Sequence, residues 1–281
     1  MNLPNSPVLS ADAPIGIFDS GVGGLSVLRH AHALLPHEHL IYLADAGHAP
    51  YGDKSEQFVV DRSLAIAAFL LSRGAKALVV ACNTATVAAI KAVRARYPDL
   101  PVVGVEPGLK PGAAATRSGK VGVLATARTL AGEKFLLLRD QIASASKAKF
   151  LLQACVGLVD EIEKGDLQAP AIDAMLERYV APLLQQGADT LVLGCTHYPF
   201  VRDGIERVVQ AHADAPVALI DTGEAVARQL ARLLDGAKLL RPATADGEAR
   251  LQGFTTGEAK ALSQAFSSLL NLTPAVQQIE V

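Results

Sequence analysis

Two apolar runs in this chain end in cysteine and share one layout. In ALVVACNTATVAAI (77–90) and TLVLGCTHYPFVRDGI (190–205), Cys82 or Cys195 closes the run, a threonine follows within two residues, and a helical pattern begins. A thiol placed there lies near the unpaired N–H groups that open a helix, whose partial positive charge favours the thiolate. Two such thiols make a pair of proton-transferring groups. A lone cysteine is ordinarily a small buried hydrophobe. Cys155, in LLQACVGLVDEIEKG, lacks the strand-to-helix context and keeps that core reading.

Polar neighbours surround both thiols. Asn83, Thr84 and Thr196 are good helix-capping types, and the same groups can donate hydrogen bonds to a bound carboxylate. In PIGIFDSGVGGLSVLRH, Asp19 and Ser20 close an apolar run, and Gly21, Gly23 and Gly24 allow backbone to approach a ligand closely. A dinucleotide fingerprint fits this string poorly, because Ser26 stands where the third glycine belongs and Asp19 would face a pyrophosphate. Asp19 is then either a turn and cap residue or a carboxylate acting on the proton of Cys82. His197, two positions after Cys195, is either a cap or a shuttle for that thiol's proton. Cys195 with His197 is also compatible with a cysteine hydrolase. APYGDKS puts Pro50, Tyr51 and Gly52 on a loop that reads as an ordinary turn. Asp221 and Glu224 look like a helix start. No spacing matches a zinc, calcium or P-loop site, so no metal is expected.

The elements that must hold these groups alternate. Short apolar runs at 15–18, 40–43, 77–81, 102–105, 121–124, 149–154, 190–194 and 218–220 read as strands, mostly buried on both faces as in a parallel sheet. Helical patterns lie between them at 63–73, 87–97, 132–143 and 171–186, with a last one at 258–270, while 241–253 reads as loop. The expected fold is α/β: two pseudo-symmetric lobes, each a mostly parallel sheet flanked by helices, with the active site in the cleft between them. The Gly- and Pro-rich EPGLKPG marks the seam. It gives one lobe of residues 14–106 plus 217–281 carrying Cys82, and a second of residues 107–216 carrying Cys195. In open α/β sheets, ligands bind at the carboxyl ends of the strands, where both thiols fall.

Composition excludes other classes. Half of the 281 residues are hydrophobic and 19% are charged, enough apolar surface for a packed core and, at about 150 residues per domain, about two domains. The 26 Lys and Arg against 28 Asp and Glu leave a net charge of −2, and aromatics are 5%. Such a surface offers no electrostatic reason to hold nucleic acid or an anionic membrane. Three cysteines form no disulfide framework and suggest free thiols in a reducing compartment. The strongest apolar stretch, 64–71, is far short of the roughly 20 residues of a membrane span. The start, MNLPNSPVLSADAP, lacks a secretory signal and reads as a frayed extension, so a soluble, cytoplasmic protein is expected.

Taken together, GIFDSGVGGLSV, ADAGHAPYGDKS, VVACNTAT, VLATARTL, LVLGCTHYPF, LIDTGEAVAR and FTTGE resemble, in order, the motifs of the glutamate racemase family within the aspartate/glutamate racemase superfamily. The resemblance implies a cofactor-independent isomerase that interconverts L- and D-glutamate and supplies D-glutamate for peptidoglycan, with a homodimer expected. By motif, Cys82 resembles the thiol that exchanges the α-proton of D-glutamate and Cys195 the one acting on L-glutamate. Asp19 and His197 resemble the groups that assist them. Ser20, Tyr51, Gly52, Asn83, Thr84 and Thr196 resemble substrate-binding positions, alongside Asp19 and His197. The family often places an assisting acid in a CPxxVPxxE-like stretch. Here CVGLVDEIE has Val156 and Asp160 in place of the prolines, which leaves a role for Glu163 open.

Overall fold

Near-continuous apolar runs need cover on both faces, and the chain supplies it by laying a helix after almost every strand. The computed structural model describes residues 10–244 and 247–281. The first half runs β1 (Ile15–Asp19), α1 (Leu25–Leu34), β2 (Leu40–Ala44), α2 (Glu56–Ser72), β3 (Ala77–Val80), α3 (Asn83–Arg96) and β4 (Val102–Gly104). Then follow α4 (Leu109–Ala115), β5 (Lys120–Ala125), α5 (Ala127–Ala131), α6 (Glu133–Ser146), β6 (Lys149–Ala154), α7 (Leu158–Glu163), α8 (Pro170–Gln185), β7 (Thr190–Gly194), α9 (Arg202–His212) and β8 (Ala218–Ile220). The chain closes with α10 (Gly223–Gly236), β9 (Leu251–Thr255), α11 (Ala259–Leu270) and β10 (Ala275–Gln278).

Two sheets result, a six-stranded one in the order β10-β9-β2-β1-β3-β4 and a four-stranded one in the order β6-β5-β7-β8. Every pairing in both is parallel. Residues of α1, α10 and α11 pack on one face of the first sheet and residues of α2 and α3 on the other. In the second sheet α8 and α9 cover one face, α4 and α6 the other. Among the described residues no helix is long and apolar enough to cross a membrane.

Register places the chemistry. Phe18 pairs with Val80, so Asp19 and Cys82 leave neighbouring strands at the same edge. In the second sheet Ala125 pairs with both Ala154 and Gly194, which brings Cys155 and Cys195 to one edge, on either side of β5.

Three expectations are corrected. Residues 218–220 form β8, which pairs with β7 in the second sheet, so the chain returns to the first sheet after Ile220 and not at 217. Three residues are too few to show which sheet they join, and the pairing is made with a distant strand. Within 241–253, read as loop, Leu251–Gly253 begin β9, and β10 was not anticipated at all. Both carry glutamine, and β10 is an edge strand with mostly exposed side chains, so neither shows a continuous apolar run in the sequence. The expected frayed extension falls largely on residues 1–9, outside the described residues. Asp12, in the described part of that stretch, is tied down instead, accepting from Arg241 Nε at 2.6 Å.

Candidate active site

Asp19 lies wholly buried at the end of β1, where its carboxylate organises the turn that follows. Oδ1 accepts from Ser20 N at 2.7 Å, Oδ2 accepts from Gly24 N, and Thr196 Oγ1 donates to Oδ2 at 3.2 Å. Ser20 Oγ stands 3.3 Å from Asp19 Oδ1 and 3.8 Å from Cys82 Sγ. Cys82 is itself the N-cap of α3, with extended backbone and Sγ accepting from Ala85 N at 3.4 Å. Asn83 and Thr84 are therefore the first helical residues and not caps. Thr84 turns its hydroxyl to Thr126 Oγ1, 3.0 Å away, and Thr129 Oγ1, 3.3 Å away, in the second half of the chain.

The helix start does not control this thiol's acidity. Burial pushes Cys82 well above the ordinary thiol range, the Asp19 charge adds to that, and the Ala85 hydrogen bond recovers only part. Burial raises the Asp19 carboxyl too, with the nearby positive charge of His197 pulling against it. The expectation of a thiolate stabilised by the helix is thus reversed for Cys82. Desolvation and a neighbouring carboxylate outweigh one weak N–H···S bond.

Cys195 follows β7 and enters a 3-10 turn, Tyr198–Val201, before α9. His197 Nδ1 lies 3.6 Å from Cys195 Sγ, and His197 Nε2 lies 2.6 Å from Glu163 Oε1. Glu163 Oε1 also accepts from Val22 N, at 2.9 Å, so a carboxylate of the second half is anchored by the glycine-rich loop of the first. Burial acts to lower the His197 pKa, but the bonds to Cys195 and Glu163 prevail and raise it well above the usual value. Burial acts to raise Glu163, and its bond to His197 lowers it instead. Spacing did not single out Glu163. Its only signal was its place in CVGLVDEIE, and the geometry puts it on His197 despite Val156 and Asp160.

The glycine-rich loop owes its composition to these contacts. A Cβ on Gly21 would stand 2.0 Å from Glu163 Oε1, and one on Gly23 would stand 2.3 Å from His197 Nδ1. Space that a dinucleotide pyrophosphate would use is taken by protein side chains, so that reading is set aside.

The ten residues to which the sequence analysis gave catalytic or substrate-binding roles line one cleft. Asp19, Ser20, Tyr51, Gly52, Cys82, Asn83 and Thr84 come from the first half of the chain, and Cys195, Thr196 and His197 from the second. Asn83 is 4% exposed and its Nδ2 has no partner among the described residues, leaving a buried donor at the cleft wall. Such a group is costly unless a ligand or water satisfies it. Thr126, Cys155 and Asp160 also line the cleft and were not anticipated there. Cys155 does belong to the core as expected, and burial holds its thiol up at about 12. No cluster of three or more metal-ligating side chains occurs among the described residues.

Two polarised thiols with ionisable neighbours, facing one cleft from two halves of the chain, suit proton exchange at a single carbon. Comparison with known proteins agrees. Residues 25–230 match the family model described as Asp/Glu/Hydantoin racemase. The chain is 57% identical over 244 residues to the glutamate racemase of Pseudomonas entomophila, covering 87% of this chain and 88% of that one. The solved glutamate racemase of Francisella tularensis, in complex with D-glutamate, superposes with a TM-score of 0.83 at 26% identity, over 96% of this chain and 98% of that one. That of Escherichia coli, in complex with L-glutamate and the activator UDP-MurNAc-Ala, gives 0.78 at 31% identity, over 96% and 99%. The chain belongs to the Asp/Glu/hydantoin racemase family and, within it, to the glutamate racemases, which are amino-acid isomerases.

Proposed function

We propose that the protein interconverts L- and D-glutamate by proton transfer on opposite faces of the α-carbon, with Cys195 and Cys82 as the two bases. The single observation that carries this reading is the pair of cleft-facing thiols, each beside its own ionisable group. Inversion through a planar carbanion needs a group on each face, one taking the proton while the other gives one. Cys195 takes the α-proton of L-glutamate, and Cys82 delivers a proton to the opposite face to form D-glutamate. The reverse reaction exchanges the roles. Burial and Asp19 keep a proton on Cys82, and His197 sets a positive charge beside Cys195.

An amino-acid α-proton is very weakly acidic, so charge moving onto the substrate carboxylate needs fixed donors in a site shielded from water. Asn83 Nδ2 is such a donor, and Ser20, Thr84 and Thr196 line the same wall, the Ser20 and Thr196 hydroxyls donating to Asp19. Tyr51 and Gly52 close the cleft opposite Thr126. Asp19 and His197 hold the protons of their respective thiols and complete the binding wall. This chemistry calls for no cofactor. The lobes we assign are residues 14–106 with the segment after Ile220, and residues 107–220, a division supported by the strand pairing of the two sheets. In the cell the product serves peptidoglycan synthesis, and hence cell-wall formation and cell shape, from the cytoplasm, with the enzyme as a homodimer.

A substrate panel tests the reaction class. Purified protein is given L-glutamate, L-aspartate and a chiral hydantoin, and optical activity is followed. Glutamate is expected to racemise with a kcat/KM about 10- to 200-fold above that of aspartate, the worth of one methylene in a fitted site. Decay of aspartate or hydantoin rotation with glutamate untouched sinks the assignment.

A further inference from the structure

Two motifs singled out in the sequence have parts that the chemistry above leaves unused: ADAGHAPYGDKS outside Tyr51 and Gly52, and FTTGE. They meet at one carboxylate. Asp45 directly follows β2 and is fully buried. It accepts from Tyr51 Oη at 2.5 Å, from Arg62 Nε at 3.0 Å and Nη2 at 2.7 Å, and from Thr256 Oγ1 at 2.8 Å. His48 Nδ1 lies 3.0 Å from the same carboxylate. Thr256 Oγ1 in turn accepts from Gly47 N at 3.0 Å, and Thr256 N donates to Ala44 O at 3.1 Å. A Cβ on Gly47 would stand 2.7 Å from Thr256 O, so the two loops touch through backbone.

An ionised carboxylate offers about four lone-pair sites, and here they are filled by donors from the 46–53 loop, from α2 and from the end of β9. Burial acts to raise the Asp45 pKa, but the bonds from Arg62, Tyr51 and Thr256 keep the group ionised and lower it. A buried charge persists only when paired in this way. Arg62 presents two nitrogens to both oxygens, a fork that lysine lacks. The loop is thereby tied near its start through Gly47 and His48 and near its end through Tyr51. Since the Tyr51 hydroxyl is spent on Asp45, it is the fixed position of the loop, and not that hydroxyl, that serves the cleft.

We propose that Asp45, Arg62 and Thr256 are positioning residues for substrate binding, which hold the 46–53 loop so that Tyr51 and Gly52 face the cleft from a fixed place. The proposal rests on the racemase reading and on Tyr51 and Gly52 as substrate-binding positions. A loop that holds substrate alike in ground and transition states changes KM and leaves kcat nearly alone when it is loosened, whereas a fold defect lowers the amount of active enzyme.

Thr256→Val keeps the side-chain shape and removes the hydroxyl. Its KM for both enantiomers is expected to rise about tenfold with kcat within about twofold, as for loss of a hydrogen bond to a charged group. Thr256→Ser is expected to restore the wild-type KM. In a Tyr51→Phe background, Thr256→Val is expected to add little, because both act through Asp45. An unchanged KM, a loss confined to kcat, a defect that serine does not rescue, or full additivity with Tyr51→Phe would each overturn the proposal. Arg62→Lys makes the same test should Thr256→Val fail to fold: the same KM rise supports the proposal and an unchanged KM overturns it. If the wild-type protein itself does not racemise glutamate, the racemase reading falls and takes this proposal with it. Variants with wild-type KM in an active enzyme remove this proposal alone.

Discussion

Alanine at Cys82 or at Cys195 is expected to lower racemisation by about 10⁴-fold in both directions, the upper range for loss of a positioned acid–base group. Neither single thiol can substitute for the other, because each serves one face of the α-carbon. The two variants differ in what remains. In D2O, Cys82→Ala is expected to exchange the α-proton of L-glutamate slowly through Cys195 without forming D-glutamate. Cys195→Ala is expected to do the converse with D-glutamate through Cys82. Each change removes one sulfur atom at a cleft wall, where Cys82 and Cys195 are 5% and 7% exposed. Stability should therefore move by no more than about 1 kcal/mol, and thermal unfolding checks this. Full racemisation in either variant contradicts a two-thiol reaction.

Gly23→Ala should rank second in effect, although Gly23 has no functional group. Its Cβ would stand 2.3 Å from His197 Nδ1 and 2.6 Å from Thr196 Oγ1. His197 is 2% exposed and held from behind by Glu163 at 2.6 Å, so it has little room to give way. The imidazole must shift away from Cys195, or the loop carrying Asp19 must shift away from Cys82. A displacement of about 1 Å in a catalytic group costs roughly 100-fold in rate, and kcat is expected to fall by at least that much. Gly236→Ala is the matched control, since a Cβ there meets nothing within 4 Å. Near-wild-type kcat in Gly23→Ala would show that the loop is not pressed against the His197 side of the site.

Much of this architecture was legible because its cause is local. A buried parallel strand writes itself as an apolar run, and the eight such runs read from the sequence match β1 to β8 to within two residues at either end. Glycine spacing and the strand–cysteine–threonine layout marked the segments that line the cleft, and the family resemblance supplied the roles. What escaped depends on distance or on burial. Val22 N reaches Glu163 across 141 positions of sequence and Thr196 reaches Asp19 across 177, and no pattern within either segment signals the meeting. Asp45 drew no reading from the sequence, because Arg62 and Thr256 converge on it from distant segments. The sign of the Cys82 shift failed for a related reason. A helix N-terminus is visible in sequence, but the desolvation that outweighs it is not. The polar edge strand β10 lacked the apolar run by which the others were found.

The claim that two opposed groups share the proton transfer is tested most directly by isotope. Purified protein is incubated with L-glutamate in D2O without added cofactor, and the α-deuterium of each enantiomer is measured at early times. Two bases predict deuterium in nearly all newly formed D-glutamate while the remaining L-glutamate stays almost fully protiated. Deuterium entering both enantiomers at equal early rates, or D-glutamate formed with its original α-proton, would point to a single base and contradict the account.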